Sequence, residues 1–259
     1  MAAQLALLAG LASRALAADL DVSLATHYST GDYDGTDSVD ILYVPLIAKL
    51  EIDAWMLKLV LPFLRISGGT TTVEGPGGPI VTPAGTEEGF GDIIAESTYT
   101  FDPFARYAPF IEVGGRVKFP TAEDGLGTGE FDFTPEIELS RTFGRWTPYL
   151  GGGFRVLGDS TYTIVRDHHV IRRQLNYRDG FVANAGLTWR VANELLEPGM
   201  FVYWKQAASS GADDAVEALP VLRIRFAQAW TLDSYVSVGF TDSVPDVGTG
   251  VQLHYVISN

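Results

Sequence analysis

The chain has no cysteine among its 259 residues. Disulfides, thiol catalysis and cysteine-ligated metals are therefore excluded. Past its first residues it also lacks any apolar run of the roughly 18 residues that a membrane-spanning helix needs. Even the stretch from Ala54 to Leu64 is interrupted by Lys58 and Pro62. Basic residues are scarce, with 18 Lys and Arg against 32 Asp and Glu, a formal charge of −14. Nucleic acid is excluded as a partner, because phosphate binding needs a basic stripe.

What is present points to β-structure. Aromatics make up 12% of the chain and there are 28 glycines, a composition suited to aromatic girdles and tight turns. Ala2 to Leu16 is almost wholly Ala, Leu and Gly and ends in Ala15-Leu16-Ala17. That pattern predicts a signal peptide over 1–17, leaving 18–259 as one domain. Acidic residues gather in the expected loops at Asp32, Asp34, Asp37, Glu87, Glu88, Glu123, Asp124, Asp213 and Asp214. They are solvated turn residues, or ligands for the divalent cations that bridge lipopolysaccharide.

The stretch from Tyr107 to Phe143 shows the underlying rhythm. Ile111, Val113, Val117 and Phe119 alternate with Glu112, Arg116 and Lys118; Phe131, Phe133, Ile137 and Leu139 alternate with Asp132, Glu136 and Glu138. Successive side chains of a strand point to opposite faces, so this is a long hairpin with one greasy and one charged side. Twelve such segments are predicted, at 19–28, 39–52, 54–67, 90–102, 108–119, 130–143, 146–157, 180–191, 199–207, 215–226, 230–240 and 248–257. Their connectors alternate long and short. An even strand number, long loops at one end and short turns at the other define an outer-membrane barrel with both termini in the periplasm. The fold expected is thus all-β: a single closed antiparallel transmembrane β-barrel of about 12 strands.

Parity then assigns the walls. A Lys or Arg facing lipid at the midplane would cost about 2–4 kcal/mol. Lys58, Glu96, Glu112, Arg116, Lys118, Glu136, Glu138, Arg155, Arg223 and Arg225 are accordingly predicted to face the lumen. They can pair across it or line an open pore. Ile94, Phe201, Tyr203, Leu219 and Val221 are the candidates for an apolar lumen patch.

Other constellations bear on chemistry. Glu136, Glu138 and Glu112 could split into acid and base roles, but Arg116 and Lys118 make a cross-strand ion-pair network the better reading. His27 and Ser29 share a strand face near the rim, an arrangement that would suit an outer-membrane lipid hydrolase. No third catalytic residue is evident. Asp167-His168-His169 alternate in direction and do not make a metal site. Gly125-Leu126-Gly127-Thr128-Gly129 leads into a strand, not the helix a dinucleotide fingerprint needs. Gly151-Gly152-Gly153 predicts bending or close packing of something bulky. No catalytic residue, metal or cofactor is expected.

Two runs carry a family resemblance. Gly89-Phe90-Gly91-Asp92 and the stretch KFPTAEDGLGTGEFD from Lys118 to Asp132 resemble motifs of the MetA-like outer-membrane transporters of phenol meta-degradation. The likeness continues through Pro148-Tyr149-Leu150-Gly151 to the hairpin near Asp242–Gly250, most of the chain after the signal. It implies passive passage of a small hydrophobic or aromatic solute across the outer membrane. The partners implied are outer-membrane lipids, lipopolysaccharide and that solute. A closed structural barrel is the remaining alternative. Oligomeric state is not read from the sequence.

Overall fold

A computed structural model describes residues 18–33, 38–69, 72–75, 78–81, 85–123, 125–166, 169–191 and 195–258. The expected signal peptide and Asp167-His168 lie outside the described residues, as do Asp34, Asp37 and Asp124. Among the described residues there are seventeen strands, in chain order β1(Ala18–Gly31), β2(Val39–Ile52), β3(Trp55–Gly68), β4(Thr72–Gly75), β5(Gly78–Val81), β6(Gly85–Phe90), β7(Ile93–Phe101), β8(Phe110–Phe119), β9(Asp132–Ser140), β10(Trp146–Arg155), β11(Ser160–Arg166), β12(His169–Leu175), β13(Gly180–Trp189), β14(Leu196–Lys205), β15(Ala215–Arg225), β16(Trp230–Gly239) and β17(Val247–Ser258).

Each strand of the wall pairs antiparallel with its neighbours in sequence. The circle closes where β1 meets β17, from Asp19↔Ser258 to Thr30↔Val247. β6 and β7 both pair with β3 and act as one barrel strand, so the wall is twelve-stranded. The sequence predicts a single strand over 90–102; the ladder instead shifts by one residue between Phe63↔Phe90 and Val60↔Ile94. Gly91 and Asp92 form the resulting bulge, where Gly91 N–H donates to the Pro62 carbonyl at 2.9 Å. Pro62 has no N–H for a regular ladder at this point, and a bulge absorbs the mismatch. Two small hairpins, β4–β5 and β11–β12, stand apart from the wall in the long connectors.

The short end turns tightly. Ile52 pairs with Trp55 across Asp53-Ala54, with Asp53 at φ 53°, and Phe143 bridges Trp146 across Gly144-Arg145, with Gly144 at φ 62°. Both positions need the left-handed region that Gly and, less readily, Asp tolerate.

The wall sorts its side chains by parity. Leu24, Leu46, Leu57, Leu59, Leu61, Val113, Ile137, Leu150, Leu187, Leu222, Val236 and Leu253 are exposed on the outside. Exposed aromatics ring the short-turn end (Trp55, Phe101, Trp146, Trp189, Trp230, Tyr255) and the long-loop end (Tyr28, Phe90, Phe131, Phe181, Phe240). Trp146 and Trp189 stack at 5.0 Å. An apolar band between two aromatic girdles is the surface a bilayer covers. Buried apolar side chains gather at the long-loop end, in one cluster of Tyr33, Val39, Ile41, Leu64, Ile66 and Leu126 and another of Leu157, Tyr177 and Ala208.

Candidate functional site

The lumen has a charged wall and an aromatic wall. On the charged side, Lys58 lies opposite Glu96, and Glu96 opposite Arg116. Glu96 accepts from Lys58 at 3.2 Å and from Arg116 Nε at 3.0 Å, and Arg116 reaches Glu136 at 3.4 Å. Nearer the short-turn end, and on the strands that carry the aromatic wall described below, Arg223 of β15 holds Asp233 of β16 through two hydrogen bonds of 2.8 and 2.7 Å. Asp233 and Asp21 flank the two nitrogens of His254 at 3.3 and 3.1 Å. These pairs join neighbouring strands and run around the wall. Pairing across the lumen, one option left open by the sequence, is not how these charges are matched. Glu138 accepts from Asn184 at 3.3 Å and faces Glu112 in the ladder, so these two carboxylates stand outside the ion-pair network. Arg225 lies opposite Thr231 and lines the lower lumen.

Lys118 has a different environment. Only 3% exposed, it contacts Asp132 at 2.6 Å, Thr128 Oγ1 at 2.6 Å and Asp92 at 3.5 Å. Asp92 also accepts from the backbone N–H of Thr121 and Ala122 at 3.0 and 2.9 Å. The two sequence motifs therefore meet: the aspartate presented by the β6–β7 bulge pins the loop after β8. A Cβ at Gly127 would press on Asp92 and Ala122, and Leu126 enters the apolar cluster beside Tyr33. Burial pushes the Tyr33 hydroxyl above its ordinary range. The glycine-rich loop is thus folded inward and anchored.

On the facing wall, Phe201 and Tyr203 of β14 share a face with Leu219 and Val221 of β15, through Phe201↔Leu219 and Gly199↔Val221. Phe201 packs on Tyr203 at 6.3 Å and on Tyr149 at 5.7 Å. Tyr235, opposite Val221, stacks on His27 at 5.5 Å. Glycines let these rings lie flat: a Cβ at Gly186 would collide with the Phe201 ring, and one at Gly250 with Tyr235. The sequence missed Tyr149 and Tyr235, although their parity is that of the lumen. Ile94 is not with the other four. It is buried on β7 between Val60 and Lys118, on the charged side.

Gly151 and Gly153 give way to Asn184, to the Pro135 carbonyl and to Glu136, neighbours in the wall and not a bulky group in the lumen. The His27 and Ser29 pair does not assemble a hydrolase. Ser29 is 2% exposed and bonded to Tyr33, while His27 Nδ1 has no hydrogen-bond partner among the described residues to orient it.

A cavity of about 530 Å³ lies between the two walls, lined by Glu112, Arg116, Glu138, Tyr203, Lys205 and Leu219 among others. A second, of about 390 Å³, continues toward the short-turn end past Lys58, Arg223 and His254. Met56 and Glu96 border both. Above them the β4–β5 hairpin reaches across from β3. Glu74 meets Arg155 at 2.9 Å and Lys205 at 3.9 Å, and its N–H donates to the Ser243 carbonyl.

No protein-family model matches the chain, and no curated protein matches its sequence. Solved structures do share its fold. An outer-membrane channel from Pseudomonas putida F1 superposes with a TM-score of 0.66 at 14% identity, over 95% of this chain and 97% of that one. The β domain of the Bordetella autotransporter BrkA follows at 0.52 and 13%, over 93% and 100%. The CymD monoaromatic hydrocarbon channel gives 0.50 and 10%, over 97% and 91%. At such identities the likeness is one of fold. With the apolar belt, it identifies the chain as an outer-membrane β-barrel.

Proposed function

We propose that this barrel is a passive channel for small hydrophobic or aromatic molecules across the outer membrane. The observation that carries the reading is the continuous strip of Tyr149, Phe201, Tyr203, Leu219, Val221 and Tyr235 along one side of the lumen. Apolar surface with a few polar hydroxyls suits a flat ring better than a strongly hydrated ion. Many of the lumen charges are matched between neighbouring strands and so need not reach across the lumen, which supports a path for water and solute. The resemblance of the Lys118–Asp132 motif to the MetA-like transporters supports the same reading, as does the hydrocarbon-channel activity of CymD, whose fold is similar.

Reconstitution into planar bilayers and liposomes tests this. The folded barrel is expected to give stepwise ion currents and to speed the entry of toluene into liposomes. Phe201→Ala with Leu219→Ala is expected to slow toluene more than it changes the current. A barrel that folds yet carries neither ions nor toluene is a structural one, and the proposal fails.

A further inference from the structure

The contact between Glu74 and the barrel wall differs from the other ion pairs of the lumen. Lys58 and Arg116 are matched by Glu96 and Glu136, Lys118 by Asp92 and Asp132, and Arg223 by Asp233. Here two cations, Arg155 and Lys205, share the single carboxylate of Glu74. Arg155 is deeply buried, its side chain 8% exposed. Its Nη1 donates to Glu74 and its Nη2 to the Gln206 carbonyl, yet its Nε has no hydrogen-bond partner among the described residues. A buried guanidinium with an idle donor retains capacity for an anion, because leaving a buried donor unmet is costly.

The carboxylate that now fills this place is not part of the wall. Glu74 belongs to the hairpin that departs from β3, which stands six strands around the circle from β14. It is a tethered group reaching over the mouth. Directly below it, Tyr203 shares the Lys205 face of β14, and Phe201 continues the line. Glu217 faces Tyr203 across the ladder, and below Arg155 the cavity carries Glu136 and Glu138, so an anion is best held at the top, between Arg155 and Lys205.

We propose that Arg155 and Lys205 form a binding site for the carboxylate of a small aromatic acid, and that Glu74 occupies it as a built-in competitor. The ligand's carboxylate takes the place of the Glu74 side chain, and its ring lies against Tyr203. Displacing Glu74 frees the β4–β5 hairpin from the opposite wall. The ring's position rests on the channel reading above; the carboxylate's seat does not.

Binding of benzoate to the folded barrel in detergent, followed by calorimetry beside benzyl alcohol and acetate, tests the site independently of conduction. Benzoate is expected to bind more tightly than either. Glu74→Gln is expected to tighten benzoate by about tenfold, since removing a competitor raises the competent fraction. Arg155→Gln is expected to weaken it by about tenfold or more, through loss of a charge-assisted hydrogen bond. Lys205→Gln, at a less buried position, serves as the second variant should Arg155→Gln fail to fold. Equal binding of benzoate and benzyl alcohol would overturn the carboxylate site, and so would indifference to Glu74→Gln. Equal binding of acetate would overturn the aromatic class. Ion currents without benzoate binding would sink this site and spare the channel; benzoate binding without currents would do the reverse.

Discussion

Gly186 and Gly250 each stand where a ring would otherwise be forced into the lumen. Gly186→Val is therefore expected to lift Phe201 off the wall and lower the single-channel current. Adding Phe201→Ala should restore it. Currents unchanged by Gly186→Val would remove the ring from the constriction. Lys118 gives a prediction of a different kind. Its replacement by Met leaves Asp92 and Asp132 buried without their cation, and breaking a buried pair from one side costs about 3–5 kcal/mol. Urea unfolding of the barrel in lipid vesicles would measure that loss. At this scale the sequence shows which face a residue takes, because parity is local. It shows partners on neighbouring strands, as for Arg116 and Glu136, but not distant ones. Arg155 and Glu74 are 81 residues apart, and nothing periodic connects a wall strand to a loop hairpin.

Individual strands impose stricter rules. Leu59 is exposed on the outside of β3, while its neighbour Lys58 faces inward to Glu96. Leu59→Arg is expected to destabilise the barrel by about 2–4 kcal/mol at the bilayer midplane, again read by urea unfolding in vesicles. Thr98→Arg, on the inner face of β7, should cost less. The β4–β5 hairpin makes the second prediction. Deleting 72–81 removes Glu74 from the mouth and is expected to raise the single-channel current. A current that stays the same would mean that the hairpin does not limit flow. The wall strands were legible because twelve alternating segments repeat one rule. The bulge at Gly91-Asp92 and the two loop hairpins were not. A bulge is a one-residue slip that leaves hydrophobicity almost unaltered, and strands of four residues such as β4 and β5 are too short for a period to register.

For the whole molecule, closure sets everything else. Joining β1 to β17 pairs the backbone of both terminal strands, which lipid requires because it offers no hydrogen bonds. Closure then gives the chain two surfaces of opposite character. Long connectors collect at one end and fold inward there, through Leu126 and Glu74, while short turns finish the other. The alternation of loop lengths made this architecture readable from the sequence. The two-sided lumen was not, since it depends on which strands become neighbours across the circle. The natural absence of cysteine permits the most direct test. Single cysteines placed along β9 at 136, 137, 138 and 139, in barrels reconstituted in planar bilayers, can be treated with a charged, water-soluble thiol reagent. The account predicts reaction and a fall in current at 136 and 138, and neither at 137 and 139. Equal reaction at all four positions, or reaction at 137 and 139 instead, would contradict it.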